Sequence, residues 1–94
     1  MNSSRGNSLT SAQIRAARAL IRWSAEDLAR SSSVGLTTVR RAELAIEETS
    51  LTAANNLAIR NALESAGVEF IDENGGGGAG VRLRKSGGKS SNRI

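Results

Sequence analysis

The stretch Leu36-Thr37-Thr38-Val39-Arg40-Arg41-Ala42-Glu43 gathers two hydroxyls and two guanidiniums into five residues. Hydroxyls both donate and accept hydrogen bonds, and guanidiniums are fixed forks of donors with a permanent charge. Such a set recognises an acceptor-rich or anionic partner; it does not make or break bonds. The rest of the chain offers little for catalysis. It has no cysteine and no histidine. That removes disulfides, thiol chemistry, the commonest metal ligands and most nucleophile–base pairs. Glu47 and Glu48 are adjacent, and adjacent side chains on a helix diverge. A 94-residue chain has too little core to enclose a water-excluding pocket. No enzymatic activity, no metal and no cofactor is expected.

Two glycine motifs resolve the same way. Gly75, Gly77 and Gly80 fit G-x-G-x-x-G after an expected strand. A dinucleotide site needs a helix next, with its N-terminus on the phosphates. Here Val81 to Arg84 alternates with the period of a strand. Gly87-Gly88-Lys89-Ser90 matches the end of a phosphate loop, but that motif's upstream glycine falls on Leu83.

The donor cluster needs elements to hold it. Residues 1–8 are polar and read as disordered. Thr10 and Gln13 have capping-box spacing, flanked by Leu9 and Ile14 as a hydrophobic staple. A helix over about Ser11 to Arg22 follows, with Ile14, Ala17, Leu20 and Ile21 on one side and Arg15 and Arg22 toward solvent. Ser24 with Asp27, and Trp23 with Leu28, repeat the start signal for a helix over about Ala25 to Ser32. Val34 and Val39 form a third staple, making Gly35 the N-cap of a helix over about Leu36 to Ala45. Trp23 reads as a packing residue. A fourth helix is expected from Thr52 or Ala53 to Ala66, with Leu57, Ile59, Ala62 and Leu63 apolar and Gly67 as the left-handed stop. Val68–Ile71 and Val81–Arg84 read as a hairpin around a glycine-rich loop, Asp72 to Gly80, with a mobile tip. Hairpin and loop span 68–85, and 86–94 reads as a flexible basic tail.

Two short helices around a tight turn form a helix-turn-helix arrangement. In its DNA-binding form the second helix enters the major groove. Ala29 is small where the helices cross, Leu28, Val34 and Val39 fix their angle, and the outer face of the third helix carries the donors. Charge distribution adds weak support. Residues 11–50 carry six arginines against five acids, 51–79 one arginine against four, and 80–94 five basic residues and no acid.

Residues 9–45, through "WSAEDLA" and "VGLTTVRRAE", resemble the Cro/repressor class of helix-turn-helix regulators, the XRE family. The likeness extends through Asn55 to Lys85. It implies a mostly α, lambda-repressor-like bundle with a short C-terminal β-hairpin, and a helix-turn-helix domain over 9–67. It implies that Leu36, Thr37 and Arg41 point toward bases, that Gly35 and Arg40 lie near the DNA backbone, and that Arg18 pairs with Glu43. Thr38 joins the same DNA-facing set. Three positions depart from the family pattern. Ala25 replaces a phosphate-contacting glutamine, Ser33 replaces the turn glycine, and Leu44 and Ala45 stand where a glycine is usual after the glutamate.

The expected function is sequence-specific DNA binding in transcriptional control, as a repressor or autoregulator. The expected partners are a double-stranded operator and a second copy of the chain, with Arg30 or the tail as further phosphate contacts. The alternative is a protein-interaction module, antiactivator- or antitoxin-like, with weak or no DNA binding. No long apolar run or secretory leader is visible in the sequence. A cytoplasmic protein without membrane contact is therefore expected.

Overall fold

Helix starts in this chain are written in short-range polar pairs. Thr10 Oγ1 accepts from the Gln13 backbone N–H at 3.0 Å, and Gln13 Oε1 accepts from the Thr10 N–H at 3.0 Å. The reciprocal pair recurs at Ser24 and Asp27, at 2.9 and 3.0 Å. Thr52 accepts from the Asn55 N–H at 3.1 Å. Each device satisfies amides that a helix start leaves without partners. They open α1 (Ser11–Ile21), α2 (Ala25–Ser32) and α4 (Ala53–Ser65), while α3 (Leu36–Leu44) opens on Gly35 with no side-chain cap. This is a computed structural model, and it describes residues 8–46 and 51–84. Expectations for 1–7, 47–50 and 85–94 lie outside the described residues.

The helix ends differ from one another. α1 stops at Ile21, and Arg22, expected inside the helix, is instead its left-handed cap at φ 59°. Trp23 N–H then returns to the Arg18 carbonyl at 3.0 Å. Ser33 is left-handed at φ 64°. Holding an L-residue there costs about 1–2 kcal/mol. Gly67, at φ 108°, takes the turn after α4.

The core joins Leu9, Ile14, Ala17, Ala25, Leu28, Val34, Val39, Ala42, Ile59, Leu63 and Val68, all buried. Leu20, expected on the side of Ile14 and Ala17, is 38% exposed. At 100° per residue it stands about 60° from Ala17, at the edge of the buried stripe. Leu57, about 160° from buried Ile59, is 55% exposed. α2 packs on α3 and α4, and α1 packs on α3 and the hairpin.

The hairpin pairs β1 (Val68–Ile71) with β2 (Gly80–Leu83), Val68 opposite Leu83 and Ile71 opposite Gly80. The bridge Asn74–Gly77 keeps that register, closed by reciprocal backbone bonds of 2.9 and 3.2 Å. The expected glycine loop is therefore shorter than the span Asp72–Gly80. The chain reverses at Gly75-Gly76, and Asn74 Oδ1 accepts from the Gly76 N–H at 2.7 Å. Buried Gln13 ties this hairpin to α1, donating to the Gly80 carbonyl at 3.1 Å. The architecture is mostly helical with one small antiparallel hairpin. Among the described residues no helix is long and apolar enough to cross a membrane.

Candidate nucleic-acid interface

α3 has one face committed to the fold. Val39, Ala42 and Glu43 are buried. Val34 and Val39 join the core with Leu28, and Ala29 and Trp23 pack against it half-buried. This is the pattern the staples predict. Arg18 reaches from α1 to grip Glu43 with both arms of its guanidinium. Nε donates to Oε2 at 2.6 Å and Nη2 to Oε1 at 2.8 Å. Nη1 donates to the Trp23 carbonyl at 2.9 Å. The hydrogen bond to Glu43 raises the Arg18 pKa above its ordinary value, against the opposing pull of burial. The pair is a fastening between α1 and α3. Buried Ser11 adds another, donating to the Ala45 carbonyl at 2.7 Å just beyond α3.

The other face of α3 is open. Thr37 and Arg41 are exposed and Thr38 half-buried. Arg41 has no ion pair or hydrogen bond among the described residues. With Thr38 it lines a shallow recess completed by Leu51, Thr52 and Asn55 at the start of α4. Gly35 holds an extended backbone at φ −60°, ψ 145°. A Cβ there would meet nothing within 4 Å, so the chain's own packing does not demand glycine. With no side-chain cap, the first-turn amides of α3 keep donors that suit an anion.

Two predicted site residues sit differently from the expectation. Leu36 is half-buried and packs against the core, so only part of it faces outward. Arg40 is exposed but engaged: Nη2 donates to Glu26 Oε2 of α2 at 2.9 Å. That partner was not foreseen. The two residues are separated by the turn, and no local motif links them. Arg30, a suggested phosphate contact, pairs with Asp27 at 2.7 Å. Ser24 hydrogen bonds, the backbone one foremost, hold the Asp27 carboxyl below the usual carboxylate range.

The basic end of the chain is also engaged where it is described. Arg82 pairs with Glu69 across the hairpin at 2.7 Å. Arg84 donates to the Glu64 carbonyl at 2.8 Å. Arg60 bonds Glu64 and lies 5.1 Å from the centre of the Phe70 ring. Among the described residues no group of three histidine, cysteine, aspartate or glutamate side chains could hold a metal ion. No family model matches the chain, and a comparison with curated proteins also finds no match.

Proposed function

We propose that the protein is a sequence-specific DNA-binding transcriptional regulator of the Cro/repressor type, acting as a repressor or autoregulator. The observation that carries this reading is the division of α3: an inner face fastened by Val39, Ala42 and the Arg18–Glu43 fork, and an outer face offering Thr37 and Arg41, the latter unpaired among the described residues. Recognition needs donors on a rigid element, because each base-edge contact depends on sub-ångström placement. α3 enters the major groove with its uncapped N-terminus toward DNA. Arg41 takes guanine O6 and N7 as a bidentate pair, Thr37 bonds a neighbouring edge, and the exposed part of Leu36 meets a thymine methyl. A homodimer sets two such helices about 34–36 Å apart, one turn of DNA.

The test is fluorescence anisotropy with duplex DNA from the protein's own upstream region and a scrambled duplex, each across a salt series. Preference for the native sequence, with affinity falling as salt rises, is the expected result. Arg41→Ala is expected to cost roughly 1–3 kcal/mol and relax preference at one base position. Unchanged affinity and preference remove Arg41 from the readout. One observation favours a second reading, a protein-interaction module: Leu44 is 80% exposed and Ile46 95% at the end of α3. No DNA binding at low salt, together with one dominant protein partner in native extract, selects that reading.

A further inference from the structure

Arg40 and Arg41 are neighbours on α3 with different fates. Arg41 is unpaired among the described residues, while Arg40 is held by Glu26 at 2.9 Å. Glu26 stands in the first turn of α2. The capping hydrogen bonds there are made by Ser24 and Asp27, so the Glu26 carboxylate is not tied up in a cap. Its carboxylate is 53% exposed and the Arg40 side chain 55%, which keeps the pair at the surface. Glu26 also lies within electrostatic reach of Arg18, but that cation already has Glu43. A carboxylate beside a phosphate-seeking arginine works against DNA binding: it engages one arm of the guanidinium, at Nη2, and repels the phosphate.

We infer that Glu26 is a specificity-determining residue, which restrains Arg40 and so weakens binding to DNA of the wrong sequence. The inference rests on the DNA-binding reading. Non-specific association draws almost wholly on phosphate charge. A face that keeps one of two adjacent cations occupied loses part of that attraction. Association with the right sequence draws on Arg41 and Thr37 at base edges, which Glu26 does not touch. The Glu26–Arg40 pair thus lowers the background more than the signal. An exposed ion pair is weak enough to open against a well-placed phosphate, so the restraint is graded.

The experiment uses the full chain with its upstream duplex and a scrambled duplex of equal length. Wild type, Glu26→Gln, Arg40→Gln and the double variant are titrated across salt, with thermal melts to verify folding. Glu26→Gln is expected to tighten the scrambled duplex about three- to five-fold at low salt. It should steepen the slope of log K against log salt by about 0.9, one more phosphate neutralised. The upstream duplex gains less, so the ratio between the two falls. In the Arg40→Gln background the same change should do little. An unchanged slope overturns the inference, as does equal tightening with Arg40 absent, which reduces Glu26 to a general charge effect. Wild type binding with Glu26→Gln inert overturns this inference alone. Wild type binding to neither duplex overturns the DNA reading and the inference with it.

Discussion

The most buried arginine–glutamate pair of the helical part and the pair across the hairpin do different work. Arg18–Glu43 joins α1 to α3 through two hydrogen bonds, with Glu43 only 9% exposed. Glu69–Arg82 joins β1 to β2 at a directly opposed position, with Arg82 65% exposed. Water screens the second pair and leaves it little net value. The first is shielded, and its worth lies in what its loss would leave behind. Identical residue types therefore fasten the element that carries the donor cluster in one place and decorate a surface in the other. Arg41 belongs to neither class: it has no ion pair among the described residues.

The largest test of this contrast is Arg18→Ala. It strands a mostly buried carboxylate, and removing one partner of a buried pair costs several kcal/mol. Arg18 retains some solvent contact, so a loss of roughly 2–3 kcal/mol is expected, read as a fall in Tm by thermal melting. DNA affinity should fall as well, because α3 loses its anchor. Arg82→Ala, on the hairpin, should leave Tm nearly where it was. Equal losses in the two variants would break the distinction.

A smaller test sets the turn between α2 and α3 against the turn after α4. Gly67 takes its left-handed conformation at little steric cost, whereas Ser33 holds φ 64° against its Cβ. Ser33→Gly relieves that strain but adds freedom to the unfolded chain. The net expectation is a gain of roughly 0.5–1 kcal/mol, measured by urea unfolding. A loss of stability would mean that Ser33 contributes an interaction beyond its backbone.

These contrasts also mark what was legible in the sequence. The starts of α1, α2 and α4 were readable because Thr10 with Gln13, Ser24 with Asp27, and Thr52 act on amides within one turn. The valine staple at Val34 and Val39 was readable for the same reason. The Arg18–Glu43 pair was accessible only through the family resemblance, since it spans 25 positions. Nothing local announced that Glu26 would take Arg40, or that Gln13 would serve a capping box and the hairpin carbonyls at once. Those partners are chosen by how helices pack. Leu20 shows the opposite limit: its apolar type suggests the inner side of the helix, but it stands at the edge of the buried stripe and stays 38% exposed. The glycine-rich sequence of the hairpin suggests a loop over Asp72 to Gly80, but register is a property of two paired strands, and it continues as far as Asn74 and Gly77.

The smallest effect sharpens the comparison most cleanly, because it isolates the hairpin pair from packing. The Arg82 hydrogen bond, then its charge and that of Arg84, hold the Glu69 carboxyl below its ordinary range. A carboxyl lowered in the folded state contributes stability above its unfolded value. That contribution is lost as pH falls below about 4, through the lowered folded value. Asp27 shifts in the same direction for another reason, its hydrogen bonds with Ser24. Carboxyl titration by NMR therefore has an internal control. In Arg82→Ala, Glu69 should return toward the usual carboxylate range while Asp27 stays low. In Ser24→Ala, Asp27 should rise only part of the way, because the backbone N–H of residue 24 remains, and Glu69 should not move. If Glu69 stayed low without Arg82, the cross-strand pair would not be its cause. Separate responses would show that the capping box and the hairpin pair are independent local devices. Both would then contrast with the Arg18–Glu43 fork, whose removal is felt throughout the helical core.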